Sequence, residues 1–234
     1  MKVNSQRFSP LFLGITSIFV SCLLISNIIA GKLISIAGLP PLPAAVILFP
    51  ITYIFGDILT EVYGFRNARL AIWIGFAANL LMTVFFTLTI ILPYPSFWKG
   101  QSAYASVLGM TPRIVAASTL AYLAGEFSNS MVLSRLKIWF KGRRLWIRTI
   151  GSTVIGEGLD TIVFISLGFA GTMPLAVLLG MMGAQYLWKV TYETFVTPLT
   201  YLAIRWVKHY EGIDVYDYTV NYNPFSLKVG EEHE

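Results

Sequence analysis

Six times along its 234 residues this chain runs apolar for twenty or more positions, at 11–30, 44–63, 70–92, 112–133, 146–169 and 183–207. About twenty residues, at about 1.5 Å each, is the length that crosses a hydrocarbon core about 30 Å thick. Runs of that length leave few folds open, because a lipid-embedded backbone must satisfy its own hydrogen bonds and so forms helices or a closed barrel. Composition agrees. Hydrophobic residues make up 56%, charged residues only 12%, and the mean hydropathy is +0.67. An ordinary soluble domain carries about 25% charged residues. The expectation is an all-α integral membrane protein, a six-transmembrane-helix bundle forming one transmembrane domain over 1–234. A further apolar stretch, 174–182, precedes the last run; adding it would make an overlong span, so a break is expected near Gly180 or Gly183, with 174–182 as a short outer or re-entrant helix. The first run has no cleavable signal layout and is long enough to span.

A net charge of +5 would suit nucleic acid, but the basic residues fall between the apolar runs rather than along one face. They read as topology signals. With the N-terminus inside, the cytoplasmic side holds Lys2, Arg7, Arg66, Arg69, Arg135, Lys137, Lys141, Arg143, Arg144, Arg148, Arg205, Lys208 and Lys228, against Lys32, Lys99 and Arg113 outside. Both termini are therefore expected to be cytoplasmic, with 208–234 a polar tail and 93–111 an outer loop whose Tyr94, Trp98 and Tyr104 suit the membrane interface. The sole cysteine, Cys22, sits in an apolar run, and the two histidines, His209 and His233, lie in the polar C-terminal region. No metal site, cofactor or catalytic residue is expected, and no nucleophile–base pair or phosphate loop points to an enzyme.

Seven ionisable residues remain inside the runs: Asp57, Glu61, Glu126, Glu157, Asp160, Lys189 and Glu193. Such groups are costly at membrane depth, so they face a bundle interior, pair, or line a polar path. The spacings of Asp57 with Glu61, Glu157 with Asp160, and Lys189 with Glu193 put each pair on one helical face, and Gln185 extends the last face. Asn27, Asn79, Asn129 and Ser130 add polar groups at comparable depth, so a polar, acid-lined cavity is expected. Bland readings compete. Glu61 beside Arg66 and Arg69 reads as a surface ion pair, Lys189 with Glu193 or Asp160 as a packing salt bridge, and the asparagines as interhelical bonds. Glu157 and Asp160, flanked by Gly156 and Gly158, read as functional. Trp73 and Phe76, leading to Asn79, and Trp188 and Tyr192, beside Lys189, offer flat walls for a planar ligand. Stacking plus carboxylates suits a heterocycle with N–H donors, such as a guanine-like edge.

These residues resemble a known family, the queuosine precursor transporters, or vitamin uptake transporter family. The likeness runs from Ser26-Asn27 to Asn223-Pro224-Phe225. Its most specific pieces are the segment 56–64 from Gly56-Asp57 to Gly64, Arg113-Ile114-Val115 followed by Gly125, Gly156-Glu157-Gly158-Leu159-Asp160-Thr161, and Lys189-Val190 with Glu193 and Thr197-Pro198. Tyr216-Asp217-Tyr218 also fits. The resemblance implies a multi-pass inner-membrane importer of the 7-deazaguanines preQ0 and preQ1. Candidate substrate-binding residues are Asn27, Asp57, Trp73, Phe76, Asn79, Glu126, Glu157, Asp160, Gln185, Lys189 and Glu193, of which Asp57, Asp160 and Lys189 match the family pattern best. The competing readings are a substrate-binding subunit of an energy-coupling-factor importer, and a cation-coupled carrier or channel for another solute. The expected partners are a small-molecule substrate and the lipid bilayer, with no nucleic acid. A homodimer is favoured by the small-residue face Gly151-Ser152 to Gly156.

Overall fold

The structure, a computed structural model, describes residues 9–30, 32–34, 42–109, 112–172 and 174–225. The expected inner charges Lys2, Arg7 and Lys228, and the end of the outer loop at 110–111, lie outside the described residues. Seven α-helices account for most of what is described: α1 (Pro10–Ile29), α2 (Phe49–Tyr63), α3 (Phe65–Ile91), α4 (Gln101–Leu108), α5 (Pro112–Trp139), α6 (Leu145–Phe169) and α7 (Leu175–Glu211). A two-residue antiparallel pairing of 33–34 with 42–43 and a 3-10 turn at Ala44–Ile47 lead into α2.

Burial is inverted relative to a soluble protein. Asp57, Glu61, Glu126, Arg148, Glu157, Asp160, Lys189 and Glu193 are buried, while Leu81, Phe85, Ile162, Leu187, Phe195, Leu202 and Trp206 are exposed. Charged residues are almost never fully buried unless paired, and large contiguous apolar surfaces mark contact with something other than water. Four stretches are long and apolar enough to cross a membrane: α1, α3, α6 and 101–139, which contains α4 and α5. Neither α2 nor α7 meets that standard. The first has 15 residues, about 22 Å of rise; the second carries Lys189, Glu193 and other polar residues along 37.

Several expected boundaries move. α3 starts at Phe65, five residues before the apolar run, and α5 continues to Trp139, so Arg135 and Lys137 are helical rather than in a loop. α7 runs unbroken through Gly180 and Gly183, which corrects the expected break and separate short helix. A Cβ at either glycine would meet nothing within 4 Å, so neither marks a close approach. Each costs a helix about 1 kcal/mol, which packing against α6 and α2 outweighs.

Helix ends are secured by residues distant in sequence. Ser9 caps α1 locally, its hydroxyl accepting from the Phe12 N–H at 3.0 Å. Gly64 alone separates α2 from α3, at φ 82°, and has no side chain to cap with. Asp217 of the tail does this instead, its carboxylate accepting from the Phe65 N–H at 2.9 Å. At the opposite end of the bundle Arg113 donates to the Leu167 carbonyl at 2.7 Å and to that of Ala170, closing the C-terminus of α6.

The end of the bundle that holds Gly64 and the tail also holds a buried ionic network. Glu61, on α2, is fully buried; it pairs with Arg148 of α6 and with Lys208 of α7 at 2.7 Å, and Lys137 of α5 donates to its backbone carbonyl at 2.6 Å. This corrects the surface pair expected with Arg66 and Arg69. Arg69 instead donates to the carbonyls of Asn221 and Asn223 in the tail, both at 2.9 Å. Asp214 joins from the tail, 2.8 Å from Lys208 and also bonded to Lys137. Partial burial alone would raise the Asp214 carboxyl, but its bonds to Lys137 and Lys208 outweigh that and hold it below the ordinary aspartate range.

The small-residue face proposed for a dimer is used within the chain. Ser152 is buried, and Gly156 lets α5 come so close that a Cβ there would meet the Asn129 Cβ at 2.8 Å and the Gly125 carbonyl at 3.0 Å.

Two outcomes follow at this end of the bundle. Glu61→Gln leaves Arg148 buried without its carboxylate and takes one of two carboxylates from Lys208, which should cost about 3–5 kcal/mol; a melting temperature equal to wild type in detergent would refute the network. Because the folded carboxyl of Asp214 is depressed, its contribution to tail docking is present above about pH 3.9, the ordinary aspartate value, and disappears as pH falls through its lower folded value. A nitroxide at Thr219→Cys should be immobile at pH 7 and gain mobility only at such acid pH; mobility unchanged down to acid unfolding would count against it.

Candidate functional site

Midway along the bundle, α2, α5, α6 and α7 each turn an acid inward. Asp57 comes from α2, Glu126 from α5, Glu157 and Asp160 from α6, and Glu193 with Lys189 from α7; none is more than 4% exposed. The four helices can approach because three acids follow a glycine: Gly56-Asp57, Gly125-Glu126 and Gly156-Glu157. At Gly56 a Cβ would collide with Oε1 of Glu126, and at Gly125 it would lie 2.8 Å from both the Asp160 Cβ and the Tyr53 hydroxyl. Each glycine thus makes room for a neighbour's polar group.

Lys189 is the one cation in the cluster among the described residues. Its ammonium lies 2.6 Å from Oδ2 of Asp160 and 2.6 Å from Oε2 of Glu157. Of the two partners considered for it from sequence, Asp160 is therefore found, and Glu193 gives way to Glu157. The reason is geometric: from α7 the lysine reaches across to α6, whose two acids are one turn apart on the facing side. Asp57 accepts from the Asn129 amide at 2.8 Å, and Thr60 donates to Ser130 at 3.0 Å just below. What is left is a surplus of acceptors. Asp57 Oδ2, Asn129 Oδ1 and all four carboxyl oxygens of Glu126 and Glu193 are buried with no hydrogen-bond partner among the described residues. Buried polar groups are ordinarily paired, so an arrangement of unpaired acceptors is matched by a ligand rich in N–H donors or by a cation. Among the described residues no three His, Cys, Asp or Glu side chains are grouped to hold a metal ion.

Other candidates fall elsewhere. Asn27 donates to Asn79 at 2.9 Å and accepts from Ser118 at 3.2 Å, which makes them the interhelical bonds of the bland reading. With Phe76 they line a largely apolar cleft of about 520 Å³ between α1, α3 and α5. Trp73 packs on Phe76, Phe127 and Phe225, and its indole donates to the Pro224 carbonyl at 2.8 Å. The aromatic wall expected from Trp73 and Phe76 is thus engaged by the C-terminal tail and the cleft, because α3 packs on α1, α2 and α5 rather than beside α6 and α7. Gln185 is buried on α7 one turn before Lys189. Sequence reasoning passed over Tyr53, 1% exposed and one turn before Asp57. It also counted Lys137, Arg148 and Lys208 only as topology charges. The repeated glycine–acid dipeptide, and the spacing of Tyr53 from Asp57, were signals for the first.

Comparison with known proteins falls on this part of the chain. Residues 43–203 match the family described as "Putative vitamin uptake transporter". The chain is 30% identical over 156 residues, 66% of its own length and 68% of the other's, to a protein of Bacillus subtilis (strain 168) named "Probable queuosine precursor transporter". It is 28% identical over 166 residues, 71% of its length and 72% of the other's, to the "Queuosine precursor transporter" of Escherichia coli (strain K12). These relatives are transporters rather than enzymes. No solved structure matches. Every acid of the buried cluster lies inside the matched region, and the chain belongs to the vitamin uptake transporter family.

Proposed function

We propose that this protein is an importer of 7-deazaguanine queuosine precursors, preQ0 and preQ1, that crosses the cytoplasmic membrane six times. The spans are α1, the 3-10 turn with α2, α3, α5, α6 and α7, with both termini inside. Support for the topology is the gathering of Lys137, Arg148, Lys208 and the tail at one end of the bundle, as the excess of inner positive charge demands. Support for the substrate is the names of both relatives together with the observation that carries the reading: a buried site on four helices whose unpaired groups are acceptors. A guanine-like edge presents two or three N–H donors side by side, and a carboxylate accepts such a pair in bidentate fashion.

In this reading Glu157 and Asp160 release part of their hold on Lys189 to accept the ligand's ring N–H and amino groups. Asp57 takes a further donor through its free oxygen, and Gln185 meets the ring carbonyl. With Trp73 and Phe76 engaged elsewhere, flat contact falls to Tyr53 and to Trp188, whose indole donates to the Val46 carbonyl at 3.5 Å. Exchange of partners at Lys189 gives the cluster two states, with the ammonium tied to α6 when empty and shared with ligand when occupied. Binding midway along a bundle whose inner end is closed by the Glu61 network is the arrangement an alternating-access carrier needs.

The purified chain alone, in liposomes, should take up labelled preQ0 or preQ1 without ATP; uptake only in the presence of an added ATPase and coupling protein would favour the binding-subunit reading. Glu157→Gln and Asp160→Asn each remove a partner of a buried charge-assisted bond, worth about 2–5 kcal/mol, and should weaken ligand binding at least about tenfold by calorimetry on folded protein. Unchanged affinity in both would make these acids structural. For the topology, a cysteine placed at Lys141 in a Cys22→Ala background should react with an impermeant maleimide only after permeabilisation, and labelling in intact cells would reverse the orientation.

A further inference from the structure

The acids of the cluster are not equivalent, and the difference points to a second ligand. Lys189 is held by Glu157 and Asp160, and Asp57 has the Asn129 amide. Glu126 and Glu193 are 1% and 2% exposed, and all four of their carboxyl oxygens lack a hydrogen-bond partner among the described residues. Among those residues no further cation is placed beside them. Within electrostatic reach of Glu126 lie Asp57 and Tyr53 of α2, Glu157 and Asp160 of α6, and Glu193 of α7, with Tyr122 on its own helix. Glu193 faces Asp57 and Glu157, and the one cation on its helix nearby, Lys189, is bonded to α6. α1 contains no charged residue, and the only charges of α3, Arg66 and Arg69, sit in its first turns, the latter bonded to the tail.

We propose that Glu126 and Glu193 form a proton-binding site beside the ligand-pairing acids and that proton entry through it drives uptake. The proposal rests on the transporter reading above. An unpartnered carboxylate buried among other carboxyls carries a heavy desolvation and repulsion cost. preQ0, unlike preQ1 with its ammonium group, is neutral and offers donors but no charge to offset it, so with that ligand a cation must accompany the site through the cycle. No grouping suited to a metal ion is present among the described residues, and a proton needs only one oxygen. The step balances simply. An O–H bond forms on a carboxylate oxygen while the cluster is open to the outer side, and the same bond breaks, releasing H⁺ inside, after the ligand leaves. No electrons and no other atoms move. Gly56 makes this geometry possible, since any side chain there would occupy the position of the Glu126 carboxyl.

The test uses the full chain in liposomes with labelled preQ0, which is itself uncharged. An imposed gradient, acid outside, should raise accumulation at least tenfold over the gradient-free level, and a protonophore should abolish the gain. E126Q and E193Q should lose gradient-driven accumulation, and the affinity for preQ0, pH-dependent in the wild type, should become less so in each folded variant. Accumulation indifferent to the pH gradient, accumulation driven by sodium instead, or an unaltered response in both variants would overturn the proposal. A wild type that neither binds nor takes up preQ0 would sink the substrate reading alone. In that case infrared difference spectra between acid and neutral pH decide the proton site. They should contain a carboxyl C=O band that disappears in E126Q and E193Q, and its absence from the wild type would overturn the proposal.

Discussion

A charged side chain inside an apolar bundle must meet an opposite charge or go on costing several kcal/mol, and the architecture follows from how this chain meets that demand at two depths. At the end of the bundle beside the tail the demand is satisfied. Glu61 has Arg148, Lys208 and Lys137 around it, and Asp214 brings a second carboxylate to the same lysines. In the middle it is not, because five carboxyl groups share Lys189 and the Asn129 amide. The same four helices, α2, α5, α6 and α7, supply both sites. On α2 the two are a single turn apart, at Asp57 and Glu61, with the Thr60 hydroxyl between them bonded to Ser130 of α5.

That shared frame gives the contrast a mechanical meaning. A fully paired network resists opening, whereas an under-paired cluster is ready to exchange partners. α2 joins them over one turn, with no loop between Asp57 and Glu61. The tail adds a third layer beneath. Asp217 caps α3 and accepts from Ser134, Arg69 holds the carbonyls of Asn221 and Asn223, and Trp73 holds that of Pro224. The polar C-terminal segment, as far as it is described, is therefore packed onto that end of the bundle.

Much of the site could be read from residue spacing, and the failures have a common cause. Asp57, Glu126, Glu157, Asp160, Lys189 and Glu193 stand out because a charge in an apolar run is rare and each run is unmistakable. Glu61 was assigned to Arg66 and Arg69 because those are near in sequence; its partners lie 76 to 147 residues away. Trp73 was assigned to the ligand because it leads to Asn79 on α3, yet its indole is bonded to a residue 151 positions later. The break expected in α7 failed differently: it was inferred from a stretch too long for one straight span, and the helix instead runs unbroken over 37 residues.

By itself the sequence determined the helical class, the number and order of the apolar runs, and the identity of the acids and the lysine in the mid-bundle cluster. These depend on local quantities: hydropathy over about twenty residues, and spacings of three and four that a helix converts into a face. The tertiary structure alone decided which charge meets which. It gave Lys189 to Glu157 and Asp160, gave Glu61 to three cations from three helices, and left Glu126 and Glu193 without a hydrogen-bond partner among the described residues. Pairing of that kind depends on how helices are ordered and rotated about one another. That order is set by close contacts such as Gly125 against Gly156, which no local pattern encodes.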